Sequence, residues 1–254
     1  VAHEPEPQPA DEFDAGAVRT WSSLALAALG RARTDIDAIN VYPVADADTG
    51  TNLYLTAESA DRALTGALAR TAPGVTDGTA PDTAASLPEA VRAYAHGALI
   101  GARGNSGTIL AQLLRGVADV LGADPAGRAP GPLLAEALTR AAEEAYQAVA
   151  HPVEGTMLTV AGAAARAAQA APGTAADVAR AAYEGARAAL AETPGQLAAL
   201  GRAGVVDAGG CGLVAVLGAL WQALSGQEPE PDPVQAPAVP VERLPEPCAQ
   251  EEGG

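Results

Sequence analysis

Two carboxylates one residue apart, Asp46 and Asp48, stand near the end of the run Asn40-Val41-Tyr42-Pro43-Val44-Ala45-Asp46-Ala47-Asp48-Thr49-Gly50-Thr51-Asn52. At i and i+2 in a loop they can turn four hard oxygens toward one point, the ligand type that Mg²⁺ prefers. Thr49, Gly50, Thr51 and Asn52 follow directly. At the start of a helix their backbone N–H groups and short side chains would favour phosphate, through the unpaired amides and the helix dipole. Metal and phosphate would then meet in one loop. The competing reading is an Asp/Thr helix cap without a ligand, because both residue types are ordinary caps.

A second segment, Gly101-Ala102-Arg103-Gly104-Asn105-Ser106-Gly107, is Gly-rich but has no β-run before it, which argues against a dinucleotide strand-turn-helix. As a generic phosphate cradle it offers Gly104, Asn105 and Gly107, the Ser106 hydroxyl for a phosphate oxygen, and Arg103 to neutralise charge as a phosphoryl group moves. Pro152-Val153-Glu154-Gly155-Thr156 and Val206-Asp207-Ala208-Gly209-Gly210 share the make-up of Gly plus a polar side chain before a helix. Their candidates are Gly155, Thr156, Asp207 and Gly209; taken singly, Thr156 and Asp207 read as caps. His96 and His151 show neither a metal-binding pair nor a Ser–His–Asp order.

Positioning these loops falls to helices. Ala and Leu dominate between Gly and Pro breaks and strand formers are sparse, so the chain reads as all-α. The pattern predicts eight helices: Val18 to Arg33, Thr51 to Arg70, Pro88 to Leu99, Ser106 to Leu121, Leu133 to Val149, Gly155 to Ala170, a seventh between Gly173 and Pro194, and Gly210 to Leu224. In an up-and-down antiparallel bundle, alternate helices begin at the same end, so the loops before helices two, four, six and eight share one rim. An extra short helix at Gln196 to Leu200 would change that parity. The predicted organisation is a disordered lead over 1–14, one domain over 15–225, and a Pro/Glu-rich disordered tail over 226–254.

Composition narrows the function. A net charge of −16 and a pI near 4.4 argue against nucleic acid, which needs clustered cations. No run of 18 or more uninterrupted apolar residues and no signal-peptide layout is present, so membrane insertion is not expected and the expected location is cytoplasmic. All basic residues are Arg. The missing Lys excludes a Walker P-loop, a protein-kinase fold and Schiff-base chemistry. Aromatics are only 3%, so the core must be small and aliphatic, its helices closely packed or arranged around another filler. Cys211 and Cys248 form no disulfide framework or metal knuckle.

At the four loops, over roughly Val18 to Leu224, the chain resembles the DhaL-type (Dak phosphatase) nucleotide-binding domain of dihydroxyacetone kinases. It is most similar to the N-terminal domain of the bacterial fatty acid kinase ATP-binding subunit. The resemblance implies an eight-helix barrel holding ATP and Mg²⁺ at one rim, with Asp46 and Asp48 as metal ligands and Ser106 and Gly107 in the phosphate loop. It also implies that Thr49, Asn52, Thr156 and Asp207 lie near the nucleotide. Two positions depart from the pattern. Ala47 replaces a Gly between the aspartates, a strain if its φ is positive. Asn40, a neutral oxygen donor and third candidate metal ligand, stands where dihydroxyacetone kinase domains carry an aspartate. The implied reaction is transfer of the γ-phosphoryl of ATP to a fatty acid carboxylate carried by a lipid-binding partner protein. A dihydroxyacetone kinase subunit and a binding module without turnover are the alternatives, and a homodimer stays open. The related subunits continue into further domains that help dock the partner, so the expectation is a kinase domain incomplete without them.

Overall fold

The protein is described by a computed structural model over residues 13–71, 85–123 and 128–229. Among these residues all regular structure is helical: α1 (Ala15–Ala38), α2 (Thr49–Thr71), α3 (Leu87–Gly101), α4 (Gly104–Leu121), α5 (Pro130–Gln147), α6 (Met157–Ala170), α7 (Ala175–Gln196), α8 (Ala198–Ala203) and α9 (Ala208–Ser225). The eight long helices pack each on the next in an antiparallel ring, and α1 closes it by packing on α9. Trp21 ties that closure, its indole N–H donating to Val216 O at 3.0 Å.

The extra helix does form, as α8. Its 6 residues rise only about 9 Å, too little to cross the bundle, so α7 still packs on α9 and the parity of the rim survives. α7 also runs on through Pro194 to Gln196, beyond its expected end. Pro194 has no N–H for the Leu190 carbonyl, and the neighbouring Thr193 hydroxyl donates to that oxygen at 2.7 Å instead. α1 begins earlier than expected because Asp14 caps it, accepting from Ala17 N at 2.7 Å, and Phe13 is buried in the core. The lead assigned to 1–14 is therefore ordered at its last two residues. The remainder of that lead, and the tail from residue 230 on, lie outside the described residues.

Small side chains let the helices approach closely, which accounts for the low aromatic content. A Cβ added at Gly116 of α4 would lie 2.5 Å from Ala141 Cα of α5. The same seam carries Glu144, buried and clasped by Arg115 and Arg140. α9 is long and apolar enough by composition to cross a membrane, at mean hydropathy 1.5, but 67% of it is buried by its neighbours, the setting of a core helix.

Candidate functional site

α2 starts where the acidic loop ends, and α1 fixes that start. Gly50 sits so close to α1 that a Cβ there would collide with the Arg33 carbonyl oxygen. Thr51 donates its N–H to Asp37 Oδ1 at 3.0 Å and its hydroxyl to Asp37 Oδ2 at 2.7 Å, so an acid from α1 supplies the charge that the first turn of α2 lacks. Ahead of it, Asn40 is 4% exposed and donates its amide N–H to Asp46 Oδ1 at 2.7 Å. Ala47 has φ 55°, so the left-handed turn between the aspartates is made by a residue with a Cβ. That conformation costs an L-residue about 1–2 kcal/mol, partly offset by the greater freedom of Gly when unfolded. Ala47→Gly should therefore raise stability by about 0.5–1 kcal/mol in chemical denaturation. A loss of stability would show that the loop carries no strain.

The Asp48 carboxyl is pushed above the usual carboxylate range, first by burial and further by the Asp46 and Asp37 carboxylates, while a hydrogen bond from Asn52 works the other way. Two acids facing each other in this way are what a bound cation relieves. The residues present fit a divalent metal. Asn40 Oδ1 is buried without a hydrogen-bond partner, a vacant hard-oxygen acceptor beside the pair. No three His, Cys, Asp or Glu side chains converge among the described residues, so the remaining ligands would have to be water or phosphate oxygens.

The four loops meet as expected of a shared rim. Thr49, Asn105, Ser106, Thr156, Asp207 and Gly209 all line one cavity of about 400 Å³. Thr49 Oγ1 and Ser106 Oγ lie 3.4 Å apart across the gap between the first two loops. α4 begins at Gly104, so its N-cap is Arg103, which makes no side-chain cap, and Ser106 lies inside the first turn with its hydroxyl free of capping duty. Thr156 precedes α6 but does not cap it either, donating its hydroxyl to Val153 O at 2.8 Å. The start of α4 thus opens on the cavity without a side-chain cap.

The third and fourth loops are less open. Gly155 N–H is taken by Thr159 Oγ1 at 2.9 Å. Asp207, buried, caps α9 by accepting from Gly210 N at 2.7 Å, and Met157 N at the start of α6 also bonds it. Burial pushes its carboxyl up to about 6 against those two bonds. Asp207 is then a fixed negative or protonated group in the cavity wall, and the start of α9 offers an anion less than its glycines suggest.

Asp46, Asp48 and Asn40 lie just outside the cavity lining, joined to it by Thr49. Gly50, Thr51, Asn52, Gly104, Gly107 and Gly155 are absent from the lining, and Arg103 is exposed outside it. Several of these shape the loops instead: Gly107 packs on Thr56, and Gly104 takes φ 56° against Asn52. Thr56, which sequence reasoning missed, is fully buried and ties the first turns of α2 to the Arg103 loop. Its hydroxyl donates to Asn52 O at 2.7 Å and accepts from Arg103 N at 3.1 Å. Also missed are Tyr42, Pro43, Ile109, Val149 and Met157, apolar residues of the cavity lining, and His151 in the same lining.

An antiparallel ring of helices carries an acidic loop and a Gly/Ser loop at one rim, and comparison with known proteins gives that architecture a family. The chain belongs to the DAK2 domain family, whose model matches residues 43–222. Uncharacterized proteins of Staphylococcus aureus strains USA300 and COL are each 39% identical to it over 198 residues, 77% of this chain and 33% of theirs. The chain thus spans about a third of the length of these relatives. The crystal structure of the dihydroxyacetone kinase of C. freundii shares the fold, with a TM-score of 0.55 and 19% identity over 88% of this chain and 37% of that one.

Proposed function

We propose that this chain is an ATP- and Mg²⁺-dependent phosphotransferase domain that passes the γ-phosphoryl group to a fatty acid carboxylate presented by a lipid-binding partner protein. The observation that carries the reading is the convergence of four rim loops on one cavity of about 400 Å³, with the Asp46–Asp48 pair at its edge. The volume suits a small ligand of nucleotide size. The polar lining residues, with Thr49, Ser106 and the open start of α4, suit the phosphates, and the apolar ones suit the base. Asp46, Asp48 and Asn40 Oδ1 are the groups to hold Mg²⁺, which when bound would neutralise phosphate charge. Arg103, exposed at the start of α4, is the cation assigned in this reading to charge that develops on the moving phosphoryl group.

A carboxylate acceptor is already ionised at neutral pH, with a pKa of about 4–5, so the site needs only to position and neutralise. The acceptor must also reach the phosphorus in line, which calls for a docking face. Val44 in the acidic loop is 62% exposed, and Leu99 and Ile100, in the last turn of α3 before the phosphate loop, are 45% and 74% exposed. Large apolar side chains left in water beside a reaction site mark a surface that a protein covers.

Dihydroxyacetone is the second acceptor to consider, favoured by the shared fold with a dihydroxyacetone kinase. The test supplies Mg-ATP with acyl-loaded lipid-binding protein in one assay and with dihydroxyacetone in another. Phosphorylation of the acyl group alone is expected. Turnover of dihydroxyacetone alone, or of neither acceptor when the relatives' full-length proteins are active, would overturn the assignment.

A further inference from the structure

Asp37 lies in the last turn of α1, outside the cavity, and is committed wholly to another helix. Both of its oxygens are bonded by Thr51, at 3.0 Å from the N–H and 2.7 Å from the hydroxyl. Thr51 Oγ1 in turn accepts from Arg33 Nε at 2.9 Å, and the Arg33 guanidinium lies 5.6 Å from the centre of the Tyr54 ring. The clasp therefore spans four residues of two helices and grips the turn that directly follows Asp48. Gly50 completes the grip, because its Cα approaches α1 so closely that a Cβ would stand 3.0 Å from Ile36 Cβ as well as colliding with Arg33 O.

Asp48 is coupled to that turn from the other side. Asn52 N donates to Asp48 O at 2.8 Å, and the Asn52 side chain bonds the Asp48 carboxyl. Movement of the first turn of α2 would carry Asp48 with it and spoil its convergence with Asp46. The Asp37 carboxylate also acts at a distance, since its negative charge is felt at Asp48. It is not itself a third ligand: with both oxygens spent on Thr51, it does not join the pair in a three-carboxylate cluster.

We infer that Asp37 is a positioning residue for the cation site, holding the start of α2 through Thr51 so that Asp46 and Asp48 stay converged, and strengthening cation binding by its charge without touching the ion. The inference rests on the metal-nucleotide reading given above. It extends that reading to a residue of α1 that would otherwise pass as one more surface acid.

The test is calorimetric titration of Mg²⁺ and Mn²⁺ into the full chain, with thermal melts of each variant alongside. Wild type should bind, and Asp48→Ala should not. If wild type binds neither ion, with or without ADP, the metal reading fails and this inference falls with it. Given wild-type binding, Asp37→Asn keeps an acceptor for Thr51 N–H but loses the charge, and should weaken both ions roughly three- to tenfold with little change in melting temperature. Asp37→Glu, which restores the charge, should recover most of that loss. Unchanged cation affinity in Asp37→Asn, whatever its melting temperature, would overturn the inference alone, as would a loss that Asp37→Glu fails to recover at all. Should Asp37→Asn not fold, Thr51→Val removes the hydroxyl half of the clasp; wild-type affinity in that variant would overturn the positioning role.

Discussion

Asp48→Ala, and separately Asp46→Ala, should abolish Mg²⁺-dependent nucleotide binding while leaving the helical fold intact. The two carboxylates face each other, with Asp37 adding to the negative charge at Asp48, so their proximity costs energy that a cation recovers. Removing either leaves one carboxylate and the Asn40 carbonyl oxygen, too few hard donors to hold Mg²⁺ against water. The expected loss is about a hundredfold or more in affinity for Mg-ATP, corresponding to about 3 kcal/mol. Stability should stay level or rise slightly in Asp48→Ala, because a like-charge contact is lost. Asp46→Ala also strips the buried Asn40 amide of its acceptor and should give up that gain. Equilibrium titration checks the first statement and thermal unfolding the second. Wild-type affinity in either variant, or full wild-type affinity in EDTA, would remove the metal from the account.

The second large effect is expected at Gly50. It reads in the sequence as part of a phosphate-binding run, yet its place in the structure is between α1 and α2. A Cβ would meet the backbone oxygen of Arg33, which cannot swing aside as a side-chain tip can. Gly50→Ala must therefore push the first turn of α2 away from α1, at about 1–3 kcal/mol of overpacking. The Asp37–Thr51 clasp and the setting of Asp48 would go with it. The variant should lose stability and Mg-nucleotide affinity together, read by denaturation and by titration. A variant of unchanged stability with lost affinity would return Gly50 to direct contact with phosphate.

The contrast between these residues explains what was legible in the sequence. Helix identity was, because Ala/Leu periodicity and Gly/Pro breaks are local, and the rim followed from counting helices. Boundaries moved where a side chain did work that spacing does not announce: Asp14 capping α1, or the Thr193 hydroxyl serving the carbonyl that Pro194 cannot. The loop residues were legible by type, since short polar side chains beside Gly at helix starts are rare in an Ala-rich chain. Their division of labour was not. Thr56 meets Arg103 across 47 residues, and Asp37 meets Thr51 across 14, so no local pattern pairs them. Asp207 was singled out as a loop residue, but its burial and its hold on the starts of both α6 and α9 depend on the packing of the ring.

The central claim is that four rim loops and the aspartate pair form one Mg-nucleotide site. The most direct measurement is a titration of isotopically labelled chain with ADP, first in EDTA and then with Mg²⁺, following backbone amide resonances by NMR. The account predicts that amides of Thr49, Ser106, Thr156 and Gly209 shift together along one saturation curve, and that the curve tightens sharply when Mg²⁺ is present. Shifts confined to a single loop, or a curve indifferent to Mg²⁺, would contradict it.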